Sequence, residues 1–331
     1  MSKVLMIAEA GINHNGDFNI AKQLVDAAKD AGADAIKFQT YKTENLAVRT
    51  AKKADYQVLH TKNNSSQYEM LKELELDQFA FLQLSQYCKM RNIQFMSSPF
   101  DMESIDFLDK LEVDTIKIPS GEITNYLYLK KIATLNKQII LSTGMATMDE
   151  IAEALSVIQV NNKKIILLHC TSSYPTVMKD VNLKAMGTLK RIFNKEVGYS
   201  DHTLGIEASI AAVALGAVVI EKHFTLDHAL PGPDHKMSLE PKKLKQLVDS
   251  IRNIEQALGD GVKKPTTTEL KNREFVRKSL VAARSIKQGE AFTENNLTAK
   301  RAGVGISPMK IKNLIGRNAK NSYEVDERID E

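Results

Sequence analysis

Short apolar runs along this chain repeatedly end on side chains that can do chemistry. Glu9 closes the first run, and Lys37 and Lys117 lie inside the second and the fourth. His202 and His223 follow the seventh and the eighth. Serines stand near the ends of other runs, at Ser98, Ser120, Ser142 and Ser200. Gathered in one place, these groups could bind an anion, hold a metal ion and move protons.

The two lysines stand in apolar surroundings, where an unpaired ammonium group is costly. Lys37 and Lys117 therefore need anionic partners, either protein carboxylates such as Glu9 or Glu122 or the anionic groups of a substrate. The nearby serines favour a cradle for phosphate or carboxylate. A Schiff-base lysine is the rival hypothesis, because desolvation lowers the pKa of lysine and frees the amine.

His202 and His223 are the best metal candidates among the histidines. They follow neighbouring predicted strands, so both imidazoles could reach one divalent ion that acts as a Lewis acid. The competing interpretation is two structural histidines bonded to backbone carbonyls. The remaining histidines are predicted either to face solvent, as for His60 and His228, or to support the site, as for His14, His169 and His235.

Three carboxylates are candidates for acid–base work or for binding substrate hydroxyls: Glu9, Glu122 and Asp234. The stretch LPGPDH at 230–235 predicts a rigid loop that would hold the Asp234 carboxylate at the rim of a site. The alternative is that Asp234 only caps this loop.

A scaffold must bring these positions together. Candidate strands are 3–8, 34–39, 93–97, 113–118, 138–142, 165–169, 196–199 and 217–221. Amphipathic helical patterns alternate with them at 19–31, 77–91, 103–111, 125–135, 148–159, 182–193, 205–215 and 241–258. Eight strand–helix units predict an α/β fold, a (β/α)8 TIM barrel whose active site lies at the carboxyl ends of the strands. An open doubly wound sheet is the alternative, but no glycine-rich phosphate loop follows the first run.

The helical periodicity fades near Gly259, and a Lys/Pro/Thr-rich stretch follows. We predict a barrel domain over 1–262, a linker over 263–270 and a small domain over 271–331. The segment 45–75 is longer than an ordinary connection in such a barrel, so we expect it to cover the site.

Composition excludes several classes of protein. A formal net charge of +4 without a long Lys/Arg run argues against nucleic-acid binding. No apolar run is long enough for a membrane span, and the amino terminus lacks the pattern of a secretory signal. Cys88 and Cys170 are too few for a disulfide framework. We expect a cytoplasmic protein with reduced thiols.

Together these residues resemble the sialic acid (N-acetylneuraminate) synthase family, which includes legionaminic acid synthases, over the full length of the chain. The matching stretches are AEAGINHNG (8–16), IKFQ (36–39), SPF (98–100), KIPSGE (117–122), STGM (142–145), YSDHT (199–203), EKHFT (221–225), GPDH (232–235) and KR (300–301). The resemblance implies a barrel followed by a small antifreeze-like (SAF, β-clip) domain.

The resemblance also implies a transferase that condenses phosphoenolpyruvate with the open-chain aldehyde of N-acetylmannosamine and releases phosphate. His202 and His223 match the metal ligands, with manganese the usual ion and magnesium or cobalt as alternatives. The contacts to phosphoenolpyruvate would be Lys37, Ser98, Lys117, Ser120, Ser142 and Ser200. The groups near the sugar would be Gln39, Glu122, Tyr174, Asp234 and Arg301.

Arg301 matches an arginine that reaches the N-acetyl group in the partner subunit. The resemblance therefore implies a homodimer in which the small domain is swapped over the partner's site. We expect Glu9, Glu122 and His223 to be catalytic. Glu9 is the candidate for managing the proton of the attacking water, with Glu122 as the alternative.

The sugar depends on the loop at 170–176, which has Ser172 where many bacterial sialic acid synthases have Asn. We expect N-acetylneuraminate as the product, used for a cell-surface polysaccharide. The alternative is N,N'-diacetyllegionaminate, made from 2,4-diacetamido-2,4,6-trideoxymannose. The Ser-Gly-Glu sequence at 120–122 argues against the pseudaminate branch. A Schiff-base aldolase and a non-catalytic binding protein are the hypotheses from other classes.

Overall fold

The computed structural model describes residues 3–61, 65–159 and 164–330. The chain divides into two compact units, Met1–Gly259 and Asp260–Glu331. The boundary at Gly259 lies near the predicted end of the barrel domain. Within the described ranges, no helix combines the length and the hydrophobicity needed to cross a membrane.

Eight parallel strands build the first unit, and each overlaps a strand predicted from the sequence. They are β1 (Leu5–Gly11), β2 (Ala35–Thr40), β3 (Gln94–Pro99), β4 (Thr115–Ile118), β5 (Gln138–Ser142), β6 (Ile165–Cys170), β7 (Glu196–Asp201) and β8 (Val219–His223). The hydrogen-bonded order is β3-β2-β1-β8-β7-β6-β5-β4, and β3 also contacts β4. Chain neighbours are sheet neighbours throughout and β1 pairs with β8, so the fold is a (β/α)8 barrel and not an open doubly wound sheet.

Helices follow the strands, and several of them begin at a side-chain cap that the sequence supplies. They are α1 (Phe18–Asp30), α2 (Thr43–Leu46), α3 (Asp55–Thr61), α4 (Gln67–Leu74), α5 (Gln78–Met90), α6 (Met102–Lys110), α7 (Tyr126–Thr134), α8 (Met148–Ile158), α9 (Lys184–Phe193), α10 (Glu207–Ala214) and α11 (Pro241–Leu258). The carboxylates of Asp17, Asp77 and Asp101 accept backbone N–H groups at the starts of α1, α5 and α6. Thr147 and Glu150 form a capping box on α8.

The barrel interior has an apolar lower layer and a polar upper layer. The lower layer is a cluster of buried apolar side chains: Ile7, Ala35, Met96, Ile140, Ile166, Leu168 and Val219. Because strand side chains alternate between the two faces, the residue two positions later points into the same interior. Those later positions are the polar ones, such as Glu9 after Ile7, Lys37 after Ala35 and Glu221 after Val219. The alternation of side chains along the strands therefore places the interior-facing polar residues at the carboxyl rim.

The opposite end of the barrel is held by a group of ion pairs and hydrogen bonds. Arg252 on α11 donates to the carbonyl of Val4 at 2.9 Å and to Asp34 Oδ2 at 2.5 Å. Asp34 also accepts the N–H of Met6 at 2.9 Å. Glu255 contacts the Arg252 guanidinium at 3.1 Å. These bonds fasten the last barrel helix to the beginnings of β1 and β2.

The long connection after β2 contains α2, α3 and α4. On α4, Met70, Leu71 and Leu74 pack with Ile12 and Tyr41, which follow β1 and β2. The connection therefore lies over the carboxyl rim, as predicted for the segment 45–75. Residues 62–64 of that segment lie outside the described residues.

The second unit has its own apolar core, which includes Leu280, Phe292 and Tyr323. Its secondary structure is a helix, α12 (Thr267–Val276), and an antiparallel pair, β9 (Ser279–Ala282) and β10 (Leu297–Lys300). The predicted linker, 263–270, differs from the structure in its second half. Thr266 and Glu269 form a capping box there and start α12.

We expect Arg252→Met to lower the free energy of unfolding by about 2 kcal/mol, because the change removes a partly buried guanidinium and leaves Asp34 and the Val4 carbonyl without it. Lys245→Met on the same helix is the matched control, since the Lys245–Asp249 pair is exposed. We expect that control to stay within about 0.5 kcal/mol of the wild type. Urea unfolding followed by circular dichroism measures both. Equal losses in the two variants would contradict the role assigned to Arg252.

Candidate active site

One interior-facing polar side chain from each strand lines the carboxyl rim. In strand order they are Glu9, Lys37, Ser98, Lys117, Ser142, Cys170, Ser200 and Glu221, and all are buried. Seven of these positions end in a charged or hydroxyl group, so apolar packing does not account for them. Their shared layer makes the rim of the barrel the candidate active site.

The centre of this rim is a network of two lysines and two carboxylates. Lys37 Nζ lies 2.7 Å from Glu9 Oε2 and 3.7 Å from Glu221 Oε2. Lys117 Nζ lies 3.3 Å from Glu221 Oε1, which also accepts a hydrogen bond from Ser200 at 2.9 Å. Glu221 therefore connects three strands, and both buried lysines have an anionic partner.

The charges of the network do not cancel at neutral pH. Burial raises the pKa of Glu9 to about 7, although Lys37 opposes the shift. Burial acts in the same direction on Glu221, but Lys117 and Lys37 outweigh it and lower the pKa of that carboxyl. Burial lowers the pKa of Lys117, while Glu221 and Glu9 keep the pKa of Lys37 raised against burial. Two lysines thus face Glu221, which is ionised, and Glu9, which is only partly ionised near pH 7. Such an arrangement suits an anionic ligand.

A second set of small polar groups adjoins this network at β5 and β6. Ser120 Oγ accepts the N–H of Gly144 at 3.0 Å and lies 3.2 Å from Cys170 Sγ. A Cβ on Gly144 would approach Ser172 Oγ to 2.3 Å, so only glycine fits between these side chains. Hydroxyl groups and a backbone N–H are therefore held close to Lys117, as expected for an anion cradle.

His202 and His223 lie side by side, with ring centroids 5.6 Å apart. His202 Nδ1 donates to the carbonyl of Thr171 at 2.7 Å, which leaves Nε2 for another partner. Nδ1 of His223 is buried and has no hydrogen-bond partner among the described residues. Only one of the two histidines thus shows the carbonyl bond that a structural role predicts.

A buried ion pair behind the histidines ties β7 to β8. Lys222 Nζ lies 3.1 Å from Asp201 Oδ2, and neither side chain is accessible to solvent. Asp201 also accepts hydrogen bonds from Ser209 Oγ at 2.6 Å and from the N–H of Thr203 at 2.8 Å. Because Asp201 and Lys222 directly precede His202 and His223, this pair limits how far the two imidazoles can move apart.

The two histidines suit a divalent metal ion. Burial lowers the pKa of both imidazoles, so both are neutral at pH 7 and have a lone pair to offer. Within the described residues no group of three His, Cys, Asp or Glu side chains could hold a metal. A bound ion would therefore take two protein nitrogens, and water or substrate oxygens would occupy its other positions.

The predicted sugar-side residues are distributed around these histidines. The Tyr174 ring lies 4.3 Å from the His202 ring, centroid to centroid. Gln39 donates to Glu9 Oε1 at 3.3 Å, and Glu122 is half-buried beside Asn125 at 2.7 Å. Asp234 is buried, and its Oδ1 lacks a hydrogen-bond partner in the described part of the chain. A buried carboxyl without a partner is the mark of a group that awaits a ligand.

Arg301 belongs to the second unit, where it is exposed and follows β10. The first unit therefore assembles every other predicted site residue without it. The role implied for Arg301 stays a prediction.

Two expectations about single residues are wrong. His60 was expected to face solvent, but it is half-buried and its Nδ1 lies 2.6 Å from the carbonyl of Pro233. Of the two carboxylates predicted as partners for the buried lysines, Glu9 is confirmed at 2.7 Å from Lys37, whereas Glu122 bonds to Asn125. Glu221, which was not among those candidates, pairs with both lysines. The sequence did contain a signal for Glu221, because it lies two residues before His223. In a strand, both side chains would therefore point to the same face.

The three histidines predicted to support the site make local contacts around the rim. His169 Nε2 lies 2.7 Å from the Val181 carbonyl. His235 contacts Thr225 Oγ1 at 2.7 Å and Asn15 Oδ1 at 3.0 Å, so it joins the loops after β1 and β8. The third member of the group is His14, which accepts the N–H of Gly16. His228, predicted to face solvent, is exposed and bonds to the Ser238 carbonyl.

The fold and the rim define an enzyme built on a (β/α)8 barrel, in which two buried lysines that suit an anion lie beside a histidine pair. Residues 24–263 match the NeuB family and residues 277–327 match the SAF domain. The chain belongs to the NeuB family, and it is an enzyme of transferase type.

Named relatives cover almost the whole chain. It is 56% identical over its full length to N,N'-diacetyllegionaminic acid synthase of Campylobacter jejuni, and the match covers all of that protein. The protein of the same name from Legionella pneumophila is 49% identical over 94% of this chain and 89% of its own length. The crystal structure of N-acetylneuraminic acid synthetase from Leptospira borgpetersenii in complex with citrate has a TM-score of 0.73 at 38% identity, covering 83% of this chain and 91% of that one.

Asp234→Asn should change how stability depends on pH. Burial raises the folded-state pKa of Asp234 from 3.8 to about 7, so its protonation favours the folded wild type. That contribution is complete below pH 4, declines as the pH rises to 7, and is gone above it. The stability of Asp234→Asn relative to the wild type should therefore rise by up to about 4 kcal/mol between pH 4 and pH 8.

Urea unfolding at a series of pH values tests this expectation. Asp227→Asn, on an exposed position of the same loop, is the control and should show no such trend. A constant difference between Asp234→Asn and the wild type would mean that the Asp234 carboxyl is ionised in the folded protein throughout.

Proposed function

We propose that this chain condenses phosphoenolpyruvate with 2,4-diacetamido-2,4,6-trideoxymannose to give N,N'-diacetyllegionaminate and phosphate. The observation that carries the class of reaction is the buried network of Lys37 and Lys117 with Glu9 and Glu221, beside the histidine pair. The choice of sugar rests on the two relatives named as diacetyllegionaminic acid synthases, at 56% and 49% identity. N-acetylneuraminate, expected from the sequence, is less well supported, because the synthetase of that name is 38% identical.

The anionic substrate would occupy the rim network. Phosphoenolpyruvate carries a phosphate and a carboxylate, and Lys37 and Lys117 supply the opposing charge in a buried site. Ser98 lies 3.1 Å from Lys37 Nζ, and Ser200, Ser142 and Ser120 line the remaining strands. The hydroxyl groups would orient the phosphate while the lysines neutralise it.

The sugar aldehyde would lie at the histidine pair. A divalent ion held by His202 and His223, for which we propose manganese with magnesium or cobalt as alternatives, would supply Lewis-acid polarisation of the aldehyde oxygen. Carbon 3 of phosphoenolpyruvate would bond to the aldehyde carbon as the aldehyde C=O π bond opens, and water would add at carbon 2. The bond from carbon 2 to the phosphate oxygen would then break as carbon 2 becomes a ketone. Of the two protons of the water, one ends on the new sugar hydroxyl and the other on the departing phosphate. Glu9 would accept the proton of that water, since its pKa of about 7 suits a base near neutral pH.

The small domain would complete the site from a second copy. We propose a homodimer in which Arg301 of one subunit reaches the sugar's N-acetyl group in the other. The cytoplasm, where phosphoenolpyruvate is available, is the proposed location, and a cell-surface polysaccharide is the proposed destination of the product.

Phosphate release with each of two sugars is the direct test. With manganese and phosphoenolpyruvate, we expect kcat/KM for the 2,4-diacetamido sugar to exceed that for N-acetylmannosamine by at least about tenfold. A chelator should abolish release, and added manganese should restore it. A preference for N-acetylmannosamine would overturn the sugar assignment.

Borohydride trapping separates the proposal from a Schiff-base aldolase, which the lowered pKa of the Lys117 amine favours. If the enzyme were such an aldolase, borohydride added during turnover would trap a covalent adduct and inactivate the enzyme without any metal. We expect no adduct by mass spectrometry, because Glu221 lies 3.3 Å from Lys117 and stabilises its ammonium form.

Glu9→Gln should lower kcat by about 10²- to 10⁴-fold, the usual size of a general-base contribution, while the protein still binds manganese and phosphoenolpyruvate. Glu122→Gln is the matched comparison, because Glu122 is the other candidate carboxylate. We expect that variant to raise the KM for the sugar with kcat little changed. Wild-type turnover by Glu9→Gln, with a large loss of kcat in Glu122→Gln, would transfer the role to Glu122.

A further inference from the structure

Helix α3, in the long connection after β2, places Tyr56 beside the histidine pair. The ring of Tyr56 lies 5.2 Å from that of Tyr174, centroid to centroid, at an interplanar angle of 36°. Tyr174 in turn lies 4.3 Å from His202 and 6.2 Å from His223. These rings form a continuous aromatic wall from the histidines to α3, and the sequence analysis did not assign Tyr56 to the site.

Several contacts hold α3 in this position. His60, one turn after Tyr56, bonds through Nδ1 to the carbonyl of Pro233 at 2.6 Å, next to Asp234. The rings of Tyr56 and His60 meet edge to face at 6.2 Å. Gln57 is buried, and its side-chain oxygen accepts the N–H of Ala54 at 3.0 Å. The helix is therefore fastened to the loop that presents the Asp234 carboxyl.

The Asp234 carboxyl also affects the pKa of the Tyr56 hydroxyl. Burial raises the pKa of the Tyr56 hydroxyl, and the nearby Asp234 carboxyl raises it further. The hydroxyl is thus a neutral hydrogen-bonding group within a mainly aromatic surface. Asp234 itself has an oxygen without a partner among the described residues, so the aromatic wall has a polar group beside it.

The length of the wall matches the length of the sugar. The two centroid distances place Tyr56 at most about 10 Å from His202. An extended six-carbon chain is about 6 Å long at ordinary C–C bond lengths, before its substituents are added. With the aldehyde carbon at the histidines, the chain passes Tyr174 and its far end, carbons 4 to 6, meets Tyr56.

We infer that Tyr56 is a specificity-determining residue whose ring contacts the substituents on carbons 4 to 6 of the sugar. This inference rests on the proposed function. The 2,4-diacetamido sugar has a methyl group at carbon 6 and an acetamido group at carbon 4, where N-acetylmannosamine has hydroxyl groups. The methyl group and the acetamido methyl gain contact with an aromatic face, and the smaller, hydrated hydroxyl groups of N-acetylmannosamine gain less. Tyr56 therefore selects for the deoxy, acetamido sugar.

Comparison of kcat/KM for the two sugars in the wild type, Tyr56→Phe and Tyr56→Ala tests the inference. Tyr56→Ala should lose about 10- to 100-fold for the 2,4-diacetamido sugar and less than about 3-fold for N-acetylmannosamine, so that the preference collapses. Tyr56→Phe keeps the ring and should keep most of the preference. The KM for phosphoenolpyruvate should not change in either variant. Tyr126→Ala, on an exposed position of α7, is the control and should match the wild type with both sugars.

Tyr56→Leu is a second variant that keeps the apolar volume if Tyr56→Ala unfolds, and it should lose part of the preference. Equal losses for both sugars in the folded variants would overturn the inference and leave Tyr56 as a general support of the loop. The sugar preference of the wild type tests the proposed function separately. If the wild type prefers the 2,4-diacetamido sugar and the ratio of kcat/KM for the two sugars is unchanged in Tyr56→Ala, only the role of Tyr56 is overturned. A wild type that prefers N-acetylmannosamine would overturn both.

Discussion

The pairing of Glu221 with Lys37 and Lys117 is the interaction on which the rest of the site depends. Four ionisable groups from β1, β2, β4 and β8 are buried together, and burial on this scale is tolerated only when each charge has a partner. The pairing requires all four strands to hold one register. It also holds two ammonium groups in one buried layer, as the proposed binding of an anionic substrate requires.

The residues that stabilise the barrel and the polar residues of the candidate active site lie at different levels along the barrel axis. Below the rim, an apolar layer fills the interior, and at the opposite end Arg252 and Asp34 fasten the last helix to the first strands. Outside the strands, a large apolar core packs the helices against the sheet. These regions provide the rigidity that a buried charge network needs, because burying four ionisable groups does not by itself favour folding.

The two substrates would be recognised by different kinds of structure. Strand residues hold the anion site, so its geometry is as rigid as the barrel. The sugar side is made of loops that follow β2, β6 and β8, joined through the Tyr56, Tyr174 and His202 rings and through His60 with Pro233. Loops can change between relatives without disturbing the barrel. Such a division explains how one family can keep a common reaction while its members differ in the sugar.

The sequence alone indicated the eight strand–helix units, the helix starts and the polar residues at strand ends, because these follow from local periodicity and capping. The sequence did not determine which of these side chains form ion pairs or hydrogen bonds with one another in the folded protein. Glu9 and Glu122 were equal candidates for pairing with the lysines, and only Glu9 does so, at 2.7 Å from Lys37. The closed barrel also brings Glu221 from β8 to Lys37 on β2 and Lys117 on β4. Likewise, His60 lies against Pro233 only because α3 folds over the rim. Such contacts join residues that are far apart in the chain, so only closure of the barrel and the path of its loops decide them.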